Sequence, residues 1–86
     1  SFPVPIVVRA NDRVGLLKDI STLLSDERVN ILYTHTRTHD DREVTIDITV
    51  EVIDVGQLSR VLHKLDGIQG VYEVRRDTSG ARSSAA

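Results

Sequence analysis

The chain has 86 residues, no cysteine, a formal net charge of −2 and a pI of 5.8. A chain of this length makes one domain that buries only about 60% of the surface its unfolded form exposes, so self-association would add burial the monomer lacks. The missing cysteine excludes a disulfide framework and a thiolate metal site, and the near-balanced charge gives no general pull toward nucleic acid or anionic membrane.

No apolar run approaches the roughly 20 residues that span a bilayer, and the opening "SFPVPIVVRA" lacks the basic start and apolar core of a signal peptide. A cytoplasmic, membrane-free protein is expected. The start at Ser1 rather than methionine suggests a piece of a longer chain. Pro3 to Ala10 is a β-branched run with both prolines at its beginning, where a missing N–H is tolerable, and reads as a first strand.

Leu16, Leu17, Ile20, Leu23 and Leu24 then form one apolar stripe on a 3.6-residue repeat. This predicts a helix from about Arg13 to Arg28 with Asp12 as its N-cap. Gly15 would occupy the first turn, where glycine costs about 1 kcal/mol relative to alanine and needs a local reason. Two reasons are open: tight seating of the helix on a sheet, or close approach of a ligand or neighbouring backbone.

"NILYTHTRTHDDREVTIDITVEV" predicts two strands around a turn at Asp40 and Asp41. In the second, Val44, Ile46, Ile48, Val50 and Val52 alternate with Glu43, Thr45, Asp47, Thr49 and Glu51, so one face is buried and the other wet. In the first, burying His35 and Arg37 beneath helices would strand their polar groups, so Thr34 and Thr36 are expected to face the helices instead. That parity matches Thr36 with Val44 and requires an odd loop or a bulge near Asp40. Ile31 reaches the core only if the strand begins irregularly after it.

Asp54 and Gln57 stand at capping-box spacing before a stripe of Leu58, Val61, Leu62 and Leu65 that stops at Gly67. A second helix is expected there, then a last strand from Gly70 to Arg76. The small polar tail, 77–86, is expected to be disordered. The order βαββαβ predicts an α+β, ferredoxin-like sandwich: a four-stranded antiparallel sheet, order 4-1-3-2, with two helices on one face.

Candidate chemistry is sparse. His35 and His39 share a strand face but lie about 13 Å apart, too far to hold one metal ion. Ser21, Ser25 and Ser59 have no matched base, there is no P-loop, and no cofactor site is expected. The outward row Tyr33, His35, Arg37, His39 is placed like an RNA-binding sheet face but lacks central aromatic platforms. There remains "ANDRVGLL", which sets polar residues and helix N–H groups at one end of the sheet, a place suited to a carboxylate or phosphate.

The stretch "IVVRANDRVGLLKDISTLLSDERVNI" resembles the opening of an ACT domain, with D-R-x-G-L-L at Asp12 to Leu17 and V-N-I at Val29 to Ile31. "TIDITVEVIDVGQLSRVLHKLDGIQGVYEVRR" resembles the C-terminal ACT domain of RelA/SpoT-type proteins, which make and hydrolyse (p)ppGpp. The likeness implies a regulatory, non-enzymatic domain over 1–76, within a parent of GTP pyrophosphokinase activity serving the stringent response. It further implies a homodimer, contacts with other domains of the parent, ribosome and tRNA as partners of the whole protein, and a free amino acid at the pair's interface. Carried over, that site comprises Asp12, Gly15, Leu16, Asn30 and Ile31, with Asn11, Arg13 and Val14 lining the turn. Asp12 stands where effector-binding ACT domains hold asparagine, and its carboxylate favours an amino group. The alternatives are the amino-acid-sensing regulator of a biosynthetic enzyme and an RNA-docking sheet.

Overall fold

A computed structural model of the chain describes residues 1–78. Its elements are β1 (Phe2–Asn11), α1 (Leu16–Asp26), β2 (Asn30–Thr38), β3 (Glu43–Val52), α2 (Val55–Asp66) and β4 (Val71–Arg76), with a 3-10 turn at Asp40–Arg42. The tail expected to be disordered lies outside the described residues from position 79 onward, while Asp77 donates its N–H to the Pro5 carbonyl at 2.8 Å.

The sheet runs β2-β3-β1-β4, the expected order read from the other edge, and each neighbouring pair is antiparallel. At its centre Val4, Ile6, Val8 and Ala10 of β1 oppose Val50, Ile48, Ile46 and Val44 of β3. These side chains meet Leu16, Ile20 and Leu24 of α1 and Leu58, Val61 and Leu65 of α2 in one core, with Ile48 only 2% exposed. The β3 alternation seen in the sequence is thus the floor of that core.

Two expectations need correction. Helix α1 starts at Leu16, not Arg13, and its N-cap is Gly15, not Asp12. Gly15 has φ 87°, a left-handed conformation that cannot continue a helix, so the residue ends the turn instead of filling the first helical coil. In the hairpin, Thr36 pairs with Ile46, and Thr38 rather than Thr36 pairs with Val44. The loop takes in His39 to Glu43, beginning two residues later than expected on the β2 side, because Asp41 and Arg42 adopt φ of 62° and 61° and so close a tighter turn. The loop length is still odd, and Thr34 and Thr36 share the helix-facing side with Ile48 and Ile46.

Ile31 lies opposite Val50, brought there by a register shift between Ile31 and Tyr33. It remains 42% exposed because β2 is an edge strand, exposed along its whole length. The helices lock elsewhere. Asp54 Oδ1 accepts the Gln57 N–H at 2.7 Å; Gln57 Oε1 accepts from Ile53 N–H at 2.8 Å, and Gln57 Nε2 donates to the Glu27 carbonyl at 2.9 Å. Buried Gln57, 5% exposed, therefore caps α2 and ties it to the end of α1.

Candidate functional site

Three turns meet at the end of the sheet where β1 stops. The Asn11 N–H donates to the Gly70 carbonyl at 2.9 Å, and the Asp12 N–H donates to the Arg42 carbonyl at 2.7 Å. The β1–α1 turn is thereby fastened on one flank to the α2–β4 turn and on the other to the β2–β3 hairpin. Left-handed residues gather here: Gly15, Asp41, Arg42 and Gly70, the last with φ 94°. Asp41 and Arg42 carry side chains in a region that costs such residues about 1–2 kcal/mol each.

Arg13 splints the junction. Its Nε donates to the Gln69 carbonyl at 2.8 Å, Nη1 to the Val14 carbonyl at 3.0 Å, and Nη2 pairs with Asp19 Oδ2 at 2.7 Å. The guanidinium lies over both glycines, so that a Cβ at Gly15 or Gly70 would come within 3.5 Å of Nη1 or Nε respectively. That spacing is ordinary van der Waals contact. Gly15 is required by its backbone angle, not by crowding, which neither expected reason supplied.

Asp12, Arg13, Val14 and Arg42 border an open depression of about 530 Å³. Asp12 and Arg42 make no side-chain hydrogen bond or ion pair within the described residues, so charges of both signs face this space. Val14 is 99% exposed, whereas Leu16 belongs to the core and can offer only its backbone. Of the eight expected site residues, the structure brings Asn11 to Leu16 together. Asn30 and Ile31 lie elsewhere.

The register gives the separation. Asn11 opposes Glu43 on β3, and Asn30 opposes Glu51, eight residues further along that strand. At about 3.4 Å per residue the two groups stand about 27 Å apart, at opposite ends of the sheet. Asn30 there donates Nδ2 to Glu51 Oε1 at 3.3 Å.

The open face of the sheet is occupied by its own pairs. Arg37 meets Asp47 at 3.2 Å, His39 Nε2 meets Thr45 Oγ1 at 2.8 Å, and Arg9 pairs with Glu73 at 3.0 Å while lying 5.3 Å above the Tyr72 ring. The Tyr72 hydroxyl donates to Glu43, a bond that raises its pKa by favouring the protonated phenol. No group of metal-ligating side chains gathers among the described residues. Arg42 and the Arg9–Tyr72–Glu43 cluster went unnoticed in the sequence because turn closure and a shift in the β1–β4 register at Arg9 and Ala10 create them.

Residues 1–76 match the ACT domain family. The chain belongs to that family. Over 83 residues, 96% of its length, it is 45% identical to a GTP pyrophosphokinase of Streptomyces coelicolor. Over 80 residues, 93% of its length, it is 41% identical to a bifunctional (p)ppGpp synthase/hydrolase of Mycobacterium tuberculosis. It spans only 10% and 11% of those relatives. The crystal structure of the ACT domain from a Chlorobium tepidum GTP pyrophosphokinase superposes with a TM-score of 0.76 at 25% identity, covering 87% of this chain and 96% of that one. In this ACT domain the D-R-x-G-L-L segment is a structural unit: the Asp12 N–H holds the hairpin, Arg13 splints two turns, Gly15 reverses the backbone and Leu16 enters the core. No helix among the described residues is long and apolar enough to cross a membrane.

Proposed function

We propose that this ACT domain is the regulatory module of a cytoplasmic (p)ppGpp synthetase/hydrolase and takes up a free amino acid at a site shared by two copies. The placement of the family's expected site residues carries the reading. Six lie at one end of the sheet and two about 27 Å away, a distance no single small ligand bridges. Strands β1 and β2 both run antiparallel to β3, so they point the same way, and the start of β2 lies far from the end of β1. A second copy paired antiparallel along the open β2 edge reverses that relation. Its Asn30 and Ile31 then come to the end that holds Asn11 to Leu16.

The chemistry suits an α-amino acid. The Asp12 carboxylate attracts the ammonium, and the unpartnered Arg42 guanidinium attracts the carboxylate, the group that Asp12 alone would repel. Binding that joins two copies changes how the domain meets the rest of the parent chain, which is where synthesis or hydrolysis of the alarmone takes place.

Calorimetric titration with the twenty amino acids tests this. The wild-type chain is expected to bind one of them, Asp12→Ala and Asn30→Ala each to lose it, and a refolded mixture of the two variants to regain part of the stoichiometry through hybrid dimers with one intact site. No recovery in the mixture would place the site within one chain; no binding to the wild type would remove the effector altogether.

A further inference from the structure

The first and last strands begin and finish at the same end of the sheet. Phe2 opens β1, and β4 runs antiparallel to it, with Arg76 opposite Ile6 and the Asp77 N–H on the Pro5 carbonyl at 2.8 Å. The chain spans only 10% and 11% of its Streptomyces coelicolor and Mycobacterium tuberculosis relatives. In a protein of that length, whatever adjoins the domain joins it at this end, by either strand.

The same end is apolar on its outside. Phe2 pairs with Val52, Ile53 follows Val52 directly, and Val55 opens α2; Phe2, Ile53 and Val55 are 38%, 67% and 70% exposed. With Asp54 as N-cap, Ile53 and Leu58 hold the two positions that a hydrophobic staple brings together. Leu58 is buried in the core while Ile53 stays open, so the staple does not cover it. Apolar side chains exposed singly are ordinary, but these three are neighbours through the Phe2–Val52 pair and make one patch.

The polar groups among them are committed within the domain. Asp54 accepts the Gln57 N–H, Glu51 accepts from Ser1 and Asn30, and Arg60 lies 3.6 Å from Glu27. Asp26 and Arg28 at the close of α1 and Arg76 at the end of β4 are exposed and of mixed sign, so apolar burial rather than charge is what this surface offers. Residues 77–86, DTSGARSSAA, hold no large apolar side chain to lay over it. Three side chains also fall far short of the roughly 800 Å² per partner of a stable interface between separate molecules. A tethered segment needs no such area, because its effective concentration is already about millimolar.

From the apolar side chains left open where β1 begins, we infer that Phe2, Ile53 and Val55 form the seat for the segment of the parent chain that leads into Ser1, and that this segment lays an apolar side chain over Ile53 where the staple stays open. The seat sets how the domain is carried on the remainder of the parent. It holds whether or not an amino acid binds.

Two measurements on the full-length parent protein, each set beside the 86-residue chain, decide it. In carbene footprinting, Phe2, Ile53 and Val55 are expected to take up several-fold less label in the full-length protein, at a level independent of protein concentration. In the full-length Ile53→Asp and Val55→Asp variants, protease cleavage within the segment ahead of Ser1 is expected to quicken about tenfold, because the population of the undocked segment sets that rate. The same substitutions are expected to leave the melting temperature of the 86-residue chain unchanged, since both side chains are exposed there. Equal labelling in the two proteins, or cleavage that ignores the substitutions, overturns the seat. Protection that grows with concentration in the 86-residue chain gives the surface to a second copy, and a fall in that chain's melting temperature gives the side chains to the domain's own fold; either result overturns it too.

Discussion

At Gly15 a backbone angle outweighs helix propensity. With φ at 87°, the residue turns the chain out of β1 and exposes the first α1 coil, and the Asp19 N–H closes back onto its carbonyl at 2.9 Å. An alanine there has room but is forced into a left-handed conformation. Gly15→Ala is therefore expected to lower stability by about 1–2 kcal/mol, with Gly15→Asn milder because asparagine tolerates that region, measured as the shift in urea midpoint. An unchanged midpoint for alanine would mean that the turn relaxes to a helical angle at no cost. Arg13 belongs to the same unit: although it stands within the expected effector turn, its guanidinium is committed to Gln69, Val14 and Asp19 and serves the turn's shape.

Among the elements, the helices are joined by a polar lock at their edge. Glu27 at the end of α1 meets Lys64 and lies 3.6 Å from Arg60 on α2, and its side chain is only 13% exposed. The Lys64 hydrogen bond, aided by Arg60, holds the Glu27 pKa below its ordinary 4.5 against the opposing effect of desolvation. A carboxyl with a depressed folded pKa stabilises the fold above 4.5, and that contribution is lost as pH falls through the folded value. Thermal unfolding of the wild type should thus lose more stability than Glu27→Gln between pH 5 and about pH 3. Equal slopes would show that the pair is too well solvated to matter. Strand β2 presents the contrary case, with no buried residue along its length.

For the molecule as a whole, one core layer between helices and sheet supplies the burial. Ile48 sits at its middle, paired with Ile6 and Thr34, and Ile48→Ala is expected to cost roughly 2–5 kcal/mol in denaturant unfolding. A loss below 1 kcal/mol would mean that the core refills. The melting temperature should rise with protein concentration from micromolar to millimolar, because the proposed pairing along β2 would engage the folded state alone. Thr34→Pro, which removes an edge N–H, should abolish that dependence. A concentration-dependent melting temperature that survives it would move the contact to another surface.

Periodicity alone determined the six elements, their order and the core face of β3, because Val44 to Val52 and the two leucine-rich stripes each state their partner surface within a few residues. The D-R-x-G-L-L segment likewise marked the turn that matters. What needed the tertiary structure was everything set by backbone angle or by chain closure between distant segments. The left-handed turn at Gly15 starts α1 three residues later than its polar flank suggests, and Asp41 and Arg42 tighten the hairpin loop by a route that hydropathy does not encode. The separation of Asn30 from Asp12 follows from strand direction, a property of the assembled sheet: residues joined by one family pattern stand at opposite ends of one copy.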